Sequence, residues 1–291
     1  MNSPLAAPPW RPRIIPWLAA GLAALVLTGC SIFTVAYNRM PTLAYWRLDS
    51  AVSLTAAQQT WVREGLVALH EWHRRDQLPR YADTLQGWQA LAQGPLDAAQ
   101  VCRQFDTLQT MVAEVFDQSI PLLGRLAASL SDEQIANLQR YHIKQNEEFA
   151  RDFVSTNEAI TPERQKRSLR RAEMLYGSLD TNQRGWLMNS LVEGGFDAAR
   201  TLTERKRRQA DVIDAIRQIR GGASPESVLR AVWSRTVRSP DPAYASYSRQ
   251  WRQQACIQFA ELHNQMTPQQ KAHAVNTLVG FERDFTTLAM N

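Results

Sequence analysis

This chain has almost nothing of the pattern that makes sheets. Across its 291 residues there is no stretch of strict period-two alternation rich in Val, Ile and Thr, and no Asn-Gly hairpin turn. Half-buried strands therefore have no candidate segment. Catalytic signatures are also missing. No Gly-x-Ser-x-Gly elbow, Gly-rich phosphate loop or dinucleotide fingerprint occurs, which removes the motif-borne hydrolase and nucleotide-binding classes without excluding an enzyme as such. Low-complexity tracts, an acidic tail and long Gly/Ser linkers are absent too. With 44% hydrophobic residues, the chain can bury a core from end to end.

What is present begins with a leader. Arg11 and Arg13 give a positive end, and Ile14 to Val26 form an apolar run broken only by Pro16. That run is too short for a bilayer crossing of about 20 residues, and it has the proportions of a secretory leader's apolar centre. It ends at Leu27-Thr28-Gly29-Cys30-Ser31, which resembles the bacterial lipobox. The resemblance implies cleavage between Gly29 and Cys30, with a covalent lipid on Cys30 and no other cofactor. Acyl chains on Cys30 would hold the mature protein on its membrane. Ser31, in the position where Asp retains lipoproteins on the inner membrane, implies the outer membrane, facing the periplasm. The alternatives are the inner membrane, a Gram-positive surface, or a short anchor holding an incidental Cys.

The leader accounts for part of the charge. Of 33 basic and 28 acidic residues, removing Arg11 and Arg13 leaves 31 against 28, or +3. Export removes the usual reason to read such a balance as nucleic-acid binding. Cys102 and Cys256 would sit in an oxidising compartment, either paired across a long loop or as two separate buried thiols.

One phrase punctuates the rest. Leu54-Thr55-Ala56-Ala57-Gln58 recurs at Leu96–Gln100, Leu130–Gln134 and Leu179–Gln183, with looser copies at Ile160–Glu163 and Met266–Gln270. Each sets a Ser, Thr or Asp oxygen where it can cap a helix, and in the Gln-bearing copies the side chain three residues on can reach back to the cap. Pro162, Pro225 and Pro268 suit a first helical position. Between these starts apolar residues recur at helical spacing, as in Val62, Leu66, Leu69 and His73, or Val275, Leu278, Glu282 and Phe285. Stops stand at Gln93-Gly94-Pro95, Gly221-Gly222 and Ser239–Pro242. The expectation is an all-α fold of eight or nine helices, as one domain or two packed halves. Residues 1–29 are the leader, 30–36 a short membrane-proximal segment and 37–291 the helical domain. Gly194-Gly195 falls inside a helical pattern and is expected to kink it or mark a tight crossing.

Two features invite a site. His70-Glu71-Trp72-His73 places two His on one helix face, but at i, i+3 instead of the i, i+4 of zinc peptidases, and without an evident third ligand. The expectation is a packing knot or contact cluster of His70, Trp72, His73 and Arg74, with Arg74 and Arg75 at its solvent edge; no metal is assigned. The basic runs Arg164–Arg171 and Arg205–Arg208 read either as solvated helix faces or as surfaces for anionic lipid or a partner. In the segment Leu43–Asp49, the rings of Tyr45 and Trp46 could pack on the core or lie at headgroup level.

The run Tyr37-Asn38…Pro41, Tyr45-Trp46, Asp49, Leu54-Thr55…Gln58, Leu69-His70…Trp72-His73-Arg74 and Leu78-Pro79…Tyr81 resembles an uncharacterised family of proteobacterial lipoproteins, a domain of unknown function. That resemblance supplies no activity and no catalytic residue. A looser likeness links Leu54-Thr55-x-x-Gln58 to small periplasmic stress chaperones with Leu-Thr-x-x-Gln phrases. The expected function is a non-enzymatic binding or scaffold protein of the cell envelope, partnered by the membrane and by another envelope protein. A chaperone-like holdase and a metal-assisted hydrolase on His70 and His73 are the alternatives.

Overall fold

A computed structural model describes residues 32–154 and 160–290; Gly29, Cys30 and the leader lie outside the described residues. A short helix α1 (Ile32–Asn38) belongs to an N-terminal unit, and the rings of Phe33 and Tyr37 stack one turn apart along it.

From Met40 onward the chain forms one compact unit. Its helices are α2 (Met40–Val52), α3 (Ala56–Trp72), a π turn (His73–Gln77), α4 (Leu78–Gln93), α5 (Ala98–Ser129) and α6 (Asp132–Phe153). There follow α7 (Pro162–Tyr176), α8 (Thr181–Glu193), α9 (Ala198–Arg220), α10 (Pro225–Val237), α11 (Pro242–Asn264) and α12 (Pro268–Met290). No strand occurs among the described residues. The fold class is all-α, as expected, but the count of eight or nine is low: this unit holds eleven α-helices.

Both extra breaks have physical causes. Between α3 and α4 the Leu78 N–H donates to the His73 carbonyl five residues back. Pro79 explains the wide turn: in an uninterrupted α-helix its ring would press on the Arg75 carbonyl and its missing N–H would leave that carbonyl unpaired. At Gly194-Gly195 the pattern does not kink but stops. Gly194 closes α8, its N–H bonding the Ser190 carbonyl, and Gly195 takes φ +64°, a left-handed conformation that costs glycine little.

The recurring phrase forms capping boxes at Thr55/Gln58, Asp97/Gln100, Ser131/Gln134 and Asp180/Gln183, and also at Thr267/Gln270. Four of these glutamines then do something the cap does not require. Gln58 donates to Gln134 Oε1 at 3.2 Å and Gln134 donates back to Gln58 Oε1 at 2.8 Å. Gln183 and Gln270 make the same exchange, at 2.8 Å each way. In both pairs the second amide hydrogen goes to the carbonyl two residues before the partner's cap: Ser129, Ser53, Gln265 and Ser178. Each amide thereby satisfies both hydrogens and both lone pairs inside the protein.

Around each pair sits a core. Leu54 and Leu130 belong to the apolar cluster built by α2, α3, α5, α6, α9 and α10, with Tyr45, Val62, Ile135 and Ile216. Leu179 and Met266 belong to that of α7, α8, α11 and α12, with Tyr176, Leu187 and Leu262. Helix α4 lies along α12, joined by Leu85, Ala92 and Leu278. Glu282, on the apolar stripe of α12, accepts from Gln86 and Gln89 across that seam. Helix α5 meets α10 closely at Gly124, where a Cβ would stand 2.5 Å from Pro225 Cβ. The aromatics of α2 divide: Tyr45 is buried with the Arg63 guanidinium 3.5 Å over its ring, while Trp46 is 60% exposed.

Candidate binding site

Helices α4, α5, α7, α11 and α12 converge on a cavity of about 250 Å³. Trp88, Leu91 and Ala92 contribute from α4; Gln100, Val101, Gln104, Phe105 and Leu108 from α5; Leu175 and Tyr176 from α7; Phe259 and His263 from α11; Ala274 and Leu278 from α12. Leu96, in the α4–α5 connection, completes the wall. Phe105, Leu108 and Phe259 are 38%, 40% and 38% exposed, so the cavity meets solvent at these three side chains. A smaller apolar cavity of roughly 150 Å³ stays dry and accepts benzene.

The Trp88, Tyr176 and His263 polar groups of the wall are already engaged. Trp88 Nε1–H donates to Gln104 Oε1 at 2.8 Å, and Gln104 Nε2 donates to the Gln100 carbonyl. His263 Nε2 lies 2.9 Å from the Gly94 carbonyl, which can only accept, so Nε2 carries the proton. Nδ1 then accepts from the Tyr176 hydroxyl at 3.0 Å. Burial holds His263 below the usual histidine range, the Gly94 bond partly countering it, and the Lys271 charge lowers it further. Burial likewise pushes the Tyr176 phenol up. The pair is neutral near pH 7 and locked by complementary bonds, which suits a ligand without charge at this end of the cavity.

A covalent staple stands beside the wall. Cys102 and Cys256 are joined in a disulfide across 154 residues, with Cα atoms 5.4 Å apart. Cys256 is fully buried among Val101, Leu96 and Ala260. The bridge ties α5 to α11 one turn before the mouth residues Phe105 and Phe259 on their respective helices.

The His70–Arg74 segment lies elsewhere, where α3 passes into the π turn. The His73 ring meets Tyr81 edge-on at 5.4 Å, and Tyr81 in turn meets Phe285 of α12 at 6.0 Å. Trp72 packs edge-on to His73 at 6.4 Å. Burial, then the charge of His70, holds His73 down to about 4. Of the two arginines expected at the solvent edge, Arg75 is exposed and pairs with Asp76, whereas Arg74 is half-buried. No group of three His, Cys, Asp or Glu side chains able to hold a metal occurs among the described residues.

The basic runs also differ from a plain solvated face. Glu204 is only 3% exposed and accepts from Arg207, Arg208 and Ser239, while Arg207 and Arg235 share Asp211. These hydrogen bonds hold the Glu204 carboxyl below its usual range although burial opposes them. Arg207, Glu204 and Asp211 thus tie α9 to the end of α10 through Arg235 and Ser239, while Arg205 bonds Asn146 of α6 and Lys206 is exposed. In the other run, Arg167 pairs with Glu163 and Arg164 lies over the Phe196 ring at 4.8 Å.

Comparison with known proteins places the chain. It belongs to a family of unknown function (DUF6279), matched over residues 50–230. No curated protein matches the sequence, and no solved structure matches it. The family match takes in the Gln58–Gln134 pair, the His70–Arg74 segment and the α4, α5 and α7 walls of the cavity. Phe259, His263, Ala274 and Leu278 lie beyond it.

Tyr176, His263, Trp88 and Phe259 escape a reading of the sequence. Each sits at ordinary helical spacing in an unremarkable segment, and only packing brings five helices together. The one local signal was Cys102 and Cys256, which bracket the site without naming it.

Proposed function

We propose that this chain is a lipoprotein of a proteobacterial envelope, held by acyl chains on Cys30 at the periplasmic face of the outer membrane. Its helical unit acts there as a non-enzymatic binding protein whose ligand is apolar and enters the cavity between α4, α5, α7, α11 and α12. The observation that carries the binding reading is a cavity of about 250 Å³, mostly apolar, whose Trp88, Tyr176 and His263 polar atoms are already hydrogen-bonded within the protein, opening at three exposed apolar side chains. An apolar ligand would bury surface there worth roughly 25 cal/mol per Å². The anchoring reading rests on Arg11, Arg13, the apolar run and Leu27–Ser31.

Two measurements test the two halves. Cells expressing the full chain should incorporate labelled palmitate, and Cys30→Ala should not; equal labelling of both removes the anchor. Full chain in membranes, irradiated with a compact apolar diazirine probe, should carry adducts on peptides containing Phe105, Leu108 and Phe259. Adducts confined to other surfaces would remove the binding reading.

A further inference from the structure

We infer that the ligand of this cavity is a linear acyl chain, seated with its terminal methylenes beside Tyr176 and His263 and leaving along α5. The inference rests on the binding reading above and adds the ligand's shape and class.

The shape follows from α5. Its lining residues run from Gln100 to Leu108, eight steps or about 12 Å of helix at 1.5 Å per residue. Val101, Phe105, Leu108 and Val112 fall on one narrow face of that helix, at spacings of four, three and four. Val101 is buried in the wall, Phe105 and Leu108 stand at the mouth, and Val112 is 55% exposed beyond it. Phe116, four residues further on the same face, is closed off by a stack on Trp233 at 4.8 Å. An apolar track thus begins inside the molecule and continues into solvent for about 16 Å from Val101 to Val112. A compact ligand would fill the inner part and leave Phe105, Leu108 and Val112 exposed; a long, narrow one covers both.

The chemistry of the track excludes a polar chain. Inside, the Tyr176 proton is given to His263, the His263 proton to Gly94 and the Trp88 proton to Gln104, so a hydroxylated or amide-bearing ligand would lose more hydrogen bonds to water than the Gln100 and Gln104 amides could return. Beside the mouth, Asp106 and Arg252 form an ion pair at 2.6 Å, a polar border at which a headgroup stays in water while its chain is inside. A free fatty acid and a phospholipid share this chemistry.

The test uses the full chain in its own membrane. Cells are fed a fatty acid carrying a diazirine near its methyl end, irradiated, and the protein digested and mapped by mass spectrometry. Adducts should appear on peptides containing Tyr176, His263 and Leu278, beside the seated methyl end, and their mass distinguishes a free fatty acid from a phospholipid. Leu108→Arg, a change at an exposed position, should lower this labelling about tenfold or more by setting a charge on the track. Ala274→Trp, which fills the cavity from within, should do the same, and thermal melting of both variants checks that they fold. Labelling of the cavity by the compact probe but not by the acyl diazirine overturns this inference and leaves the binding reading standing. Labelling by neither overturns both, and acyl labelling unchanged in Leu108→Arg overturns the path along α5.

Discussion

Gln58 and Gln134 meet amide to amide between the starts of α3 and α6, each donating to the other's oxygen while accepting from its own cap N–H. The pair is buried, so no water stands ready to replace a lost partner. Gln134→Ala would strand the Ser53 carbonyl and the Ser131 N–H and leave Gln58 Nε2 with Ser129 alone. The expected cost is about 3 kcal/mol in denaturant unfolding, since each orphaned buried group costs roughly 1–3 kcal/mol. Gln58→Ala should cost a similar amount, and the double variant clearly less than their sum. Additive losses would mean that the two amides act independently.

The disulfide should matter to a comparable degree. Closing a loop of 154 residues removes about 5 kcal/mol of chain entropy from the unfolded state. Reduction, or Cys102→Ala with Cys256→Ala, should lower Tm by about 10–20 °C, given about 2–4 °C per kcal/mol for a domain of this size. Non-reducing gels should show the oxidised chain running faster. An unchanged Tm on verified reduction would contradict the bridge.

His73 carries a pH signature. Burial and the neighbouring His70 depress its folded value to about 4, below the ordinary value of about 6.5. Between those values the unfolded chain binds more protons than the folded one, so stability rises with pH. The contribution is complete above about pH 6.5 and is lost as pH falls toward about 4, by at most about 3 kcal/mol. His73→Phe keeps the ring contact with Tyr81 and should flatten the stability profile between pH 4.5 and 6.5. A variant as acid-sensitive as the parent assigns the effect to other groups.

Glu204 offers the largest single-residue effect. Glu204→Ala would leave Arg208 without its carboxylate, Arg207 with Asp211 alone and Ser239 without its acceptor. Removing one partner of a buried ion pair typically costs about 3–5 kcal/mol. Glu204→Gln keeps the shape and an acceptor, so it should recover part of the loss in thermal unfolding. Equal damage from both would show that charge, not geometry, dominates.

Much of this architecture is legible one helix at a time because its starts are written locally. Thr55, Asp97, Ser131, Asp180 and Thr267 all cap helices, and the Gln three residues on reaches back in each. What lies between helices is less readable. Pro79 carried the signal for the π turn, yet a proline near a helix interior also reads as a simple stop. Gly194-Gly195 announced an interruption without saying whether the chain bends or ends. That Gln58 meets Gln134 and Gln183 meets Gln270 has no local cause, because the same phrase at Gln100 forms its cap and pairs with no other glutamine side chain. Tyr176 and His263 meet for the same reason, through packing between segments 87 residues apart.

The four cap positions used by the two glutamine pairs are Thr, Ser, Asp and Thr, hydroxyl and carboxylate doing one task. Any short oxygen-bearing side chain suffices there, while the carboxamide three places later must both give and receive in two directions at once. Among relatives, then, drift among short oxygen-bearing residues should be free at the capping position and forbidden at the glutamine, and a sequence that loses one glutamine should have lost its distant mate as well.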